Sequence, residues 1–317
     1  MGKKLELAIA ALNGLVGDHL ARSGNGLATE MVLVHRGEPL ELDRAGLADA
    51  IGTEASRLVV LVHGLMGTES VWELPDGSDY GSSLAGELGY APLYLRYNSG
   101  LSIADNGAEL ARLLEAVVEL APRPIAELVL LGHSMGGLVI RAACHDASVE
   151  QRRWLPLVER AIYVGTPHLG APLERAGRVF SKLVASVPDP VTRLVAQVAD
   201  LRSDGIRDLG DADLRHEDRA RRAPVLGLRD PSHPVPLLDG MRHLLVAGSV
   251  SADPRVAALF GDALVPLESA TFRQRPGGAA HDDAHCEVSL LPGIPHLALA
   301  HDPRVYEAIR RFFEEPT

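Results

Sequence analysis

The residues best placed to do chemistry lie in the segment LVLLGHSMGGLVIR, Leu128 to Arg141. At its centre, Gly132-His133-Ser134-Met135-Gly136 spells G-x-S-x-G between an aliphatic run and a helical pattern. Glycines two positions either side of a serine suit a strand-to-helix turn too tight for side chains at those positions. Such a turn lifts the Ser134 hydroxyl above the strand ends. The free N–H groups and positive dipole end of the following helix then face any oxyanion formed there. A second glycine-flanked loop, His63-Gly64-Leu65-Met66-Gly67, directly follows the run RLVVLV. Its Leu65 N–H is the candidate partner of the Met135 N–H in holding such an oxyanion. His63, His133 and His168 flank these motifs and read as scaffold. Cys144 reads as a small buried residue on the helix behind the serine.

Elements that could position these groups recur along the chain. Short apolar runs at Arg57 to His63, Pro92 to Tyr97, Leu128 to Leu131, Ala161 to Val164 and His243 to Ala247 are expected as buried parallel strands. Helical patterns follow most of them. One carries Leu110, Leu113, Leu114, Val117 and Val118 and opens at Ser102, with Asp105 in the place of a capping-box Glu. The alternation predicts an α/β fold: a mostly parallel sheet covered by helices on both faces, in a single domain spanning 1–317. Residues 1–56 are expected as an N-terminal extension packed on that core. Lys3 and Lys4 precede an apolar stretch in the manner of a leader, but Glu6 interrupts it. Leu5, Ile9, Leu12 and Val16 fall at helical spacing, which predicts an amphipathic helix. Residues 172–239 break the rhythm with mixed helical patterns, a charged run and Pro231, Pro234 and Pro236, and are expected as a helical insertion. It is either a solvated excursion or a lid with an apolar underside.

Composition narrows the function classes. With 31 Lys and Arg against 42 Asp and Glu the formal charge is −11, which argues against a general nucleic-acid surface. No apolar run approaches the about 20 residues needed to cross a bilayer. Two cysteines, Cys144 and Cys286, make no disulfide framework, and a reducing, cytoplasmic location is expected. His281, Asp282, Asp283, His285 and Cys286 cluster in sequence without a zinc-like spacing, and a solvated loop is the simpler reading.

Taken together, LVHGLMG, LLGHSMGGLV and YVGTPHLGAP resemble the α/β-hydrolase superfamily in its lipase and serine-esterase branch. They are similar to bacterial triacylglycerol lipases and to esterases related to GPI inositol-deacylases. The resemblance covers about 57–172 and 243 to the end. The glycine run of the HGGG esterases is absent, so that group's substrates are not implied. The resemblance implies the α/β-hydrolase fold and the chain order Ser, acid, His. In Gly261-Asp262-Ala263-Leu264-Val265-Pro266, Asp262 matches the acid loop, and Asp253, before Pro254, is its rival as an acid or a helix cap. Pro295-His296-Leu297 matches the histidine; His301, next to Asp302 and Pro303 at the start of a last helix, is the rival. The implied activity is carboxylic-ester hydrolysis through an acyl-enzyme on Ser134, with His296 as base, Asp262 as its partner and no cofactor or metal. The expected partner is a small-molecule or lipid ester. An acyltransferase or a non-catalytic binding module on the same scaffold are the alternatives.

Overall fold

The computed structural model describes residues 2–74, 76–171, 203–217, 235–253, 255–257, 261–272 and 285–314. Among the described residues eight strands form one sheet: β1 (Val32–His35), β2 (Glu38–Pro39), β3 (Arg57–Val62), β4 (Ala91–Arg96), β5 (Glu127–His133), β6 (Val158–Val164), β7 (Arg242–Ser249) and β8 (Cys286–Pro292). Their order is β2-β1-β4-β3-β5-β6-β7-β8. β1 is antiparallel to both its neighbours, and every other pairing is parallel. The described helices are α1 (Lys3–Arg22), α2 (Arg44–Ile51), α3 (Tyr80–Leu88), α4 (Ile103–Leu120), α5 (Met135–Val149), α6 (Asp204–Asp211), α7 (Leu267–Ala270) and α8 (Pro303–Glu314).

The aliphatic runs are continuous because both faces of the sheet are covered. Leu58, Val60 and Val62 of β3 point with Leu128 and Leu130 of β5 into a core shared with Leu47 of α2, Leu110 and Leu114 of α4, and Leu138 of α5. The intervening Val59, Leu61, Val129 and Leu131 point the other way, onto Leu84 of α3 and Val305, Ile309 and Phe312 of α8. Burying each such side chain contributes roughly 1.5–3 kcal/mol, so a polar residue on either face of the central strands would meet a packed layer. Ser102 opens α4, where its Oγ accepts the Asp105 N–H at 3.0 Å. Ser102 Oγ and the Asp105 carboxylate also bond to each other, in place of the reciprocal backbone bond of a full capping box.

α1 packs on the core through Leu12, Leu15, Val16 and Leu20, which are buried against Met66, while β1, β2 and Leu47 of α2 belong to the sheet and its core. The helical pattern breaks once, at Val16 (φ −137°, ψ 18°). Most of 172–239 lies outside the described residues. Its α6 segment docks on the core: Asp208, fully buried, accepts the Ile103 N–H at the start of α4 at 2.9 Å. Leu209 and Leu214 join the main core. No helix among the described residues is long and apolar enough to cross a membrane.

Candidate active site

Parallel strands leave their carboxyl ends along one edge, where β3, β4, β6, β7 and β8 run into loops and β5 into a sharp turn. β5 leads directly into Ser134, whose backbone adopts φ 54° and ψ −125° before α5 begins at once. That conformation costs a non-glycine residue about 1–3 kcal/mol and persists because the surroundings hold it. The Ser134 N–H donates to the Val164 carbonyl at 2.8 Å, tying the turn to β6. The flanking glycines answer to crowding. A Cβ on Gly132 would lie 2.6 Å from the Gly137 nitrogen, and one on Gly136 2.3 Å from the Val62 carbonyl oxygen. A larger residue at either position would force α5 away from the sheet.

Strand ends distant in sequence deliver the next two groups. His296, at the start of a 3₁₀ turn after β8, has its Nε2 2.8 Å from Ser134 Oγ. Its Nδ1 is 2.8 Å from Asp262 Oδ2. With the ring assigned as its Nδ1–H tautomer, the Ser134 hydroxyl donates to Nε2 and Nδ1–H donates to the carboxylate. The other carboxylate oxygen of Asp262 accepts the backbone N–H groups of Leu264 at 3.0 Å and Val265 at 2.8 Å. Positive φ at Gly261 (55°) and Ala263 (80°) closes this loop on itself. The His296 N–H in turn donates to the Asp262 carbonyl at 3.0 Å. Ser134, His296 and Asp262 are 5%, 4% and 1% exposed, so all three interact in a largely water-excluded setting.

The rivals lie elsewhere. Asp253 is exposed and accepts the Arg255 N–H at 2.8 Å, a turn-closing bond. His301 ends the 3₁₀ turn ahead of Asp302, whose carboxylate accepts the Arg304 N–H at the start of α8.

The loop after β3 lies against the serine: a Cβ on Gly64 would lie 2.9 Å from the Ser134 Cβ. Met66 takes a left-handed conformation (φ 59°) and donates its N–H to Ser99 Oγ at 2.9 Å. Among the described residues, nothing accepts the N–H of Leu65 or of Met135. The sequence reading missed Ser99; its only signal is the turn-like Asn98-Ser99-Gly100 after β4.

The flanking histidines hold backbone. His63 Nδ1–H donates to the Gly64 carbonyl at 2.8 Å, and its ring stacks on Tyr97 at 4.4 Å. His133 Nε2–H donates to the His296 carbonyl at 3.3 Å, with the two rings 5.1 Å apart. Burial pushes His63 down from 6.5 to about 4. Burial, with the neighbouring His296 adding to it, pushes His133 down to about 3. Both stay neutral in the fold where the unfolded chain takes up protons below about 6.5. The stability they supply is therefore full above that pH and is lost as the pH falls toward those values. Urea unfolding at pH 7.5 and 5.5 is expected to differ by about 2–3 kcal/mol from this pair alone. Equal stability at the two pH values would contradict the neutral, buried assignment.

The remaining candidates fall away from the serine. His168 Nδ1 and carbonyl both receive the Arg141 guanidinium, at 3.3 and 3.2 Å. Cys144 is buried, which pushes its thiol up to about 12. His281, Asp282 and Asp283 lie outside the described residues. Among the described residues no three His, Cys, Asp or Glu side chains are grouped to hold a metal ion. A cavity of ≈ 460 Å³, lined by Lys3, Glu6, Glu69, Glu73, Asp79 and Tyr94 among others, includes none of Ser134, Asp262 and His296 in its walls.

Comparison with known proteins extends the picture to the whole core. No curated protein sequence matches the chain. The structure of the mature Bacillus licheniformis lipase BlEst2 is similar, with a TM-score of 0.52 and 19% identity over 89% of this chain and 97% of that one. The propeptide form of the same lipase gives a TM-score of 0.51 and 19% identity, over 83% of this chain and 51% of that one. At such identity the likeness is one of fold. The sequence from residue 59 to 307, from the strand before the Gly64 loop to the last helix, matches the alpha/beta hydrolase family. With the motif-bearing strand ends and the sheet both accounted for, the chain belongs to that family.

Proposed function

We propose that the protein is a serine hydrolase that cleaves carboxylic esters through an acyl-enzyme. The observation that carries this reading is the pair of 2.8 Å hydrogen bonds linking Ser134 Oγ to His296 and His296 to Asp262. A serine hydroxyl is a weak nucleophile at neutral pH, and an imidazole within reach of its proton removes that barrier. Ser134 Oγ attacks the ester carbonyl carbon while its proton passes to His296 Nε2. The imidazolium so formed is stabilised by the Asp262 carboxylate, which also keeps the ring in its working tautomer. Negative charge develops on the former carbonyl oxygen. The N–H groups of Leu65 and Met135 take it up, each worth about 3 kcal/mol in such chemistry. Collapse of the tetrahedral intermediate breaks the bond to the alcohol, which leaves with the proton from Nε2. Water, deprotonated by His296, then attacks the acyl-enzyme and releases the acid and free Ser134. The lipase name of the structural neighbour is in keeping with an ester substrate.

A fluorophosphonate probe tests the reading directly, because it phosphonylates only an activated serine. Purified protein is expected to take up one probe per chain, mapped by peptide mass to the fragment holding Ser134, and to hydrolyse p-nitrophenyl esters. Absence of both labelling and hydrolysis by folded protein would leave the binding-module alternative in place.

A further inference from the structure

The loop that carries Leu65 is braced by an element outside the recognisable motifs. Gly14 of α1 lies against Met66 so closely that a Cβ there would sit 2.3 Å from Met66 Cγ, 3.1 Å from its nitrogen and 3.2 Å from its Cα. Three residues on, a Cβ on Gly17 would lie 1.9 Å from Asn98 Oδ1. The Asn98 side chain donates to the Gly17 carbonyl at 3.0 Å. Gly100 meets the same helix, since a Cβ there would lie 2.0 Å from the Asn13 carbonyl oxygen. The Asn98–Gly100 loop is the one whose Ser99 accepts the Met66 N–H. One helix therefore clamps the Leu65 loop twice, by direct contact at Met66 and through the loop that holds Met66. The departure from helical geometry at Val16 falls between the two glycine contacts. Ser203, just before α6, closes the arrangement by donating to the Gly14 carbonyl at 2.7 Å.

We propose that α1 is a positioning element for oxyanion stabilisation, with Gly14 setting the place of the Leu65 N–H through Met66. The proposal rests on the serine-hydrolase reading and adds to it a determinant about 50 residues upstream of the Gly64 loop. Small residues at 14 and 17 are needed because only they let the helix backbone approach two loops this closely. Met66, a non-glycine residue in the left-handed region, stays there because it is held from both sides. Displacing that loop moves a donor aimed at the developing charge, an interaction stronger in the transition state than in the ground state.

The test is Gly14→Ala in the full chain, assayed with a p-nitrophenyl ester at a temperature where variant and wild type are both folded. A fall in kcat of about 10- to 100-fold is expected, the scale of a misplaced catalytic group, with KM changed less than about threefold. Inhibition by an alkyl trifluoromethyl ketone, which forms a tetrahedral oxyanion on the serine, is expected to weaken by the same factor. Met66→Ala in the Gly14→Ala background removes the crowded Cγ and is expected to restore most of kcat. Unchanged kcat, or a fall in kcat with ketone affinity intact, overturns the role of α1. If Gly14→Ala does not fold, Leu15→Ala loosens the same contact without crowding it and is read by the same split. Hydrolysis that survives Ser134→Ala would instead remove the serine-hydrolase reading, so the two failures are distinguishable.

Discussion

Ser134→Ala is expected to lower ester turnover by on the order of 10⁶-fold and to abolish fluorophosphonate labelling, with the thermal midpoint within about 4 °C of wild type. The reason lies in what the hydroxyl touches. Among the described residues its hydrogen-bond partner is His296 Nε2 alone, and the turn is held by the Ser134 N–H on Val164 and by the flanking glycines. Removing one oxygen thus deletes the nucleophile and leaves the bonds that shape the elbow. Turnover kept within tenfold of wild type in a folded variant would mean that another group attacks the ester.

The second large effect separates the two aspartates. Asp262→Asn is expected to reduce kcat by up to about 10⁴-fold without unfolding the protein. In the native loop one carboxylate oxygen accepts two backbone N–H groups, from Leu264 and Val265, and the other faces His296 Nδ1. An asparagine must keep its carbonyl oxygen on the backbone side, where only an acceptor fits, and so turns its NH₂ toward the ring. Nδ1 then becomes an acceptor and the proton moves to Nε2, where it points at the Ser134 oxygen it should relieve. Asp253→Ala, by contrast, removes a turn-closing bond from an exposed residue, a loss of roughly 0.5–2 kcal/mol of stability with activity retained. Steady-state kinetics beside thermal melts of both variants decides the matter; activity lost at 253 and kept at 262 would reverse the assignment.

Much of this was readable from residue order because local and global signals coincide at the strand ends. The five apolar runs are strands in the structure since both faces of the sheet are covered, which makes burial continuous along the chain. The elbow was readable because glycine is required on both sides of Ser134 by contacts with neighbouring backbone. β1 and β2 gave no comparable signal: they have four and two residues, at the sheet margin, and β2 is exposed. Asn98, Ser99 and Gly14 were unreadable for a different reason. Their effect is created by the meeting of segments far apart in the chain, and no periodicity within any one of them records its partner. The reading of 172–239 as lid or excursion ran out similarly, because Asp208 becomes a cap only when α6 reaches the start of α4.

The clamp formed by α1 also bears on how the chain is made. α1 leaves the ribosome before any of its partners: Met66 and Asn98 follow well after it, and Ser203 is 189 residues behind Gly14. Until those segments arrive, Leu12, Leu15, Val16 and Leu20 have little more than the nearby Ala28 to pack on. Contacts of such long sequence separation form late, because loop closure precedes the reward of burial. A helix synthesised ahead of these partners is thus among the last to be seated. During that interval it offers an apolar stripe to other nascent chains, the kind of exposure that makes folding intermediates prone to aggregate.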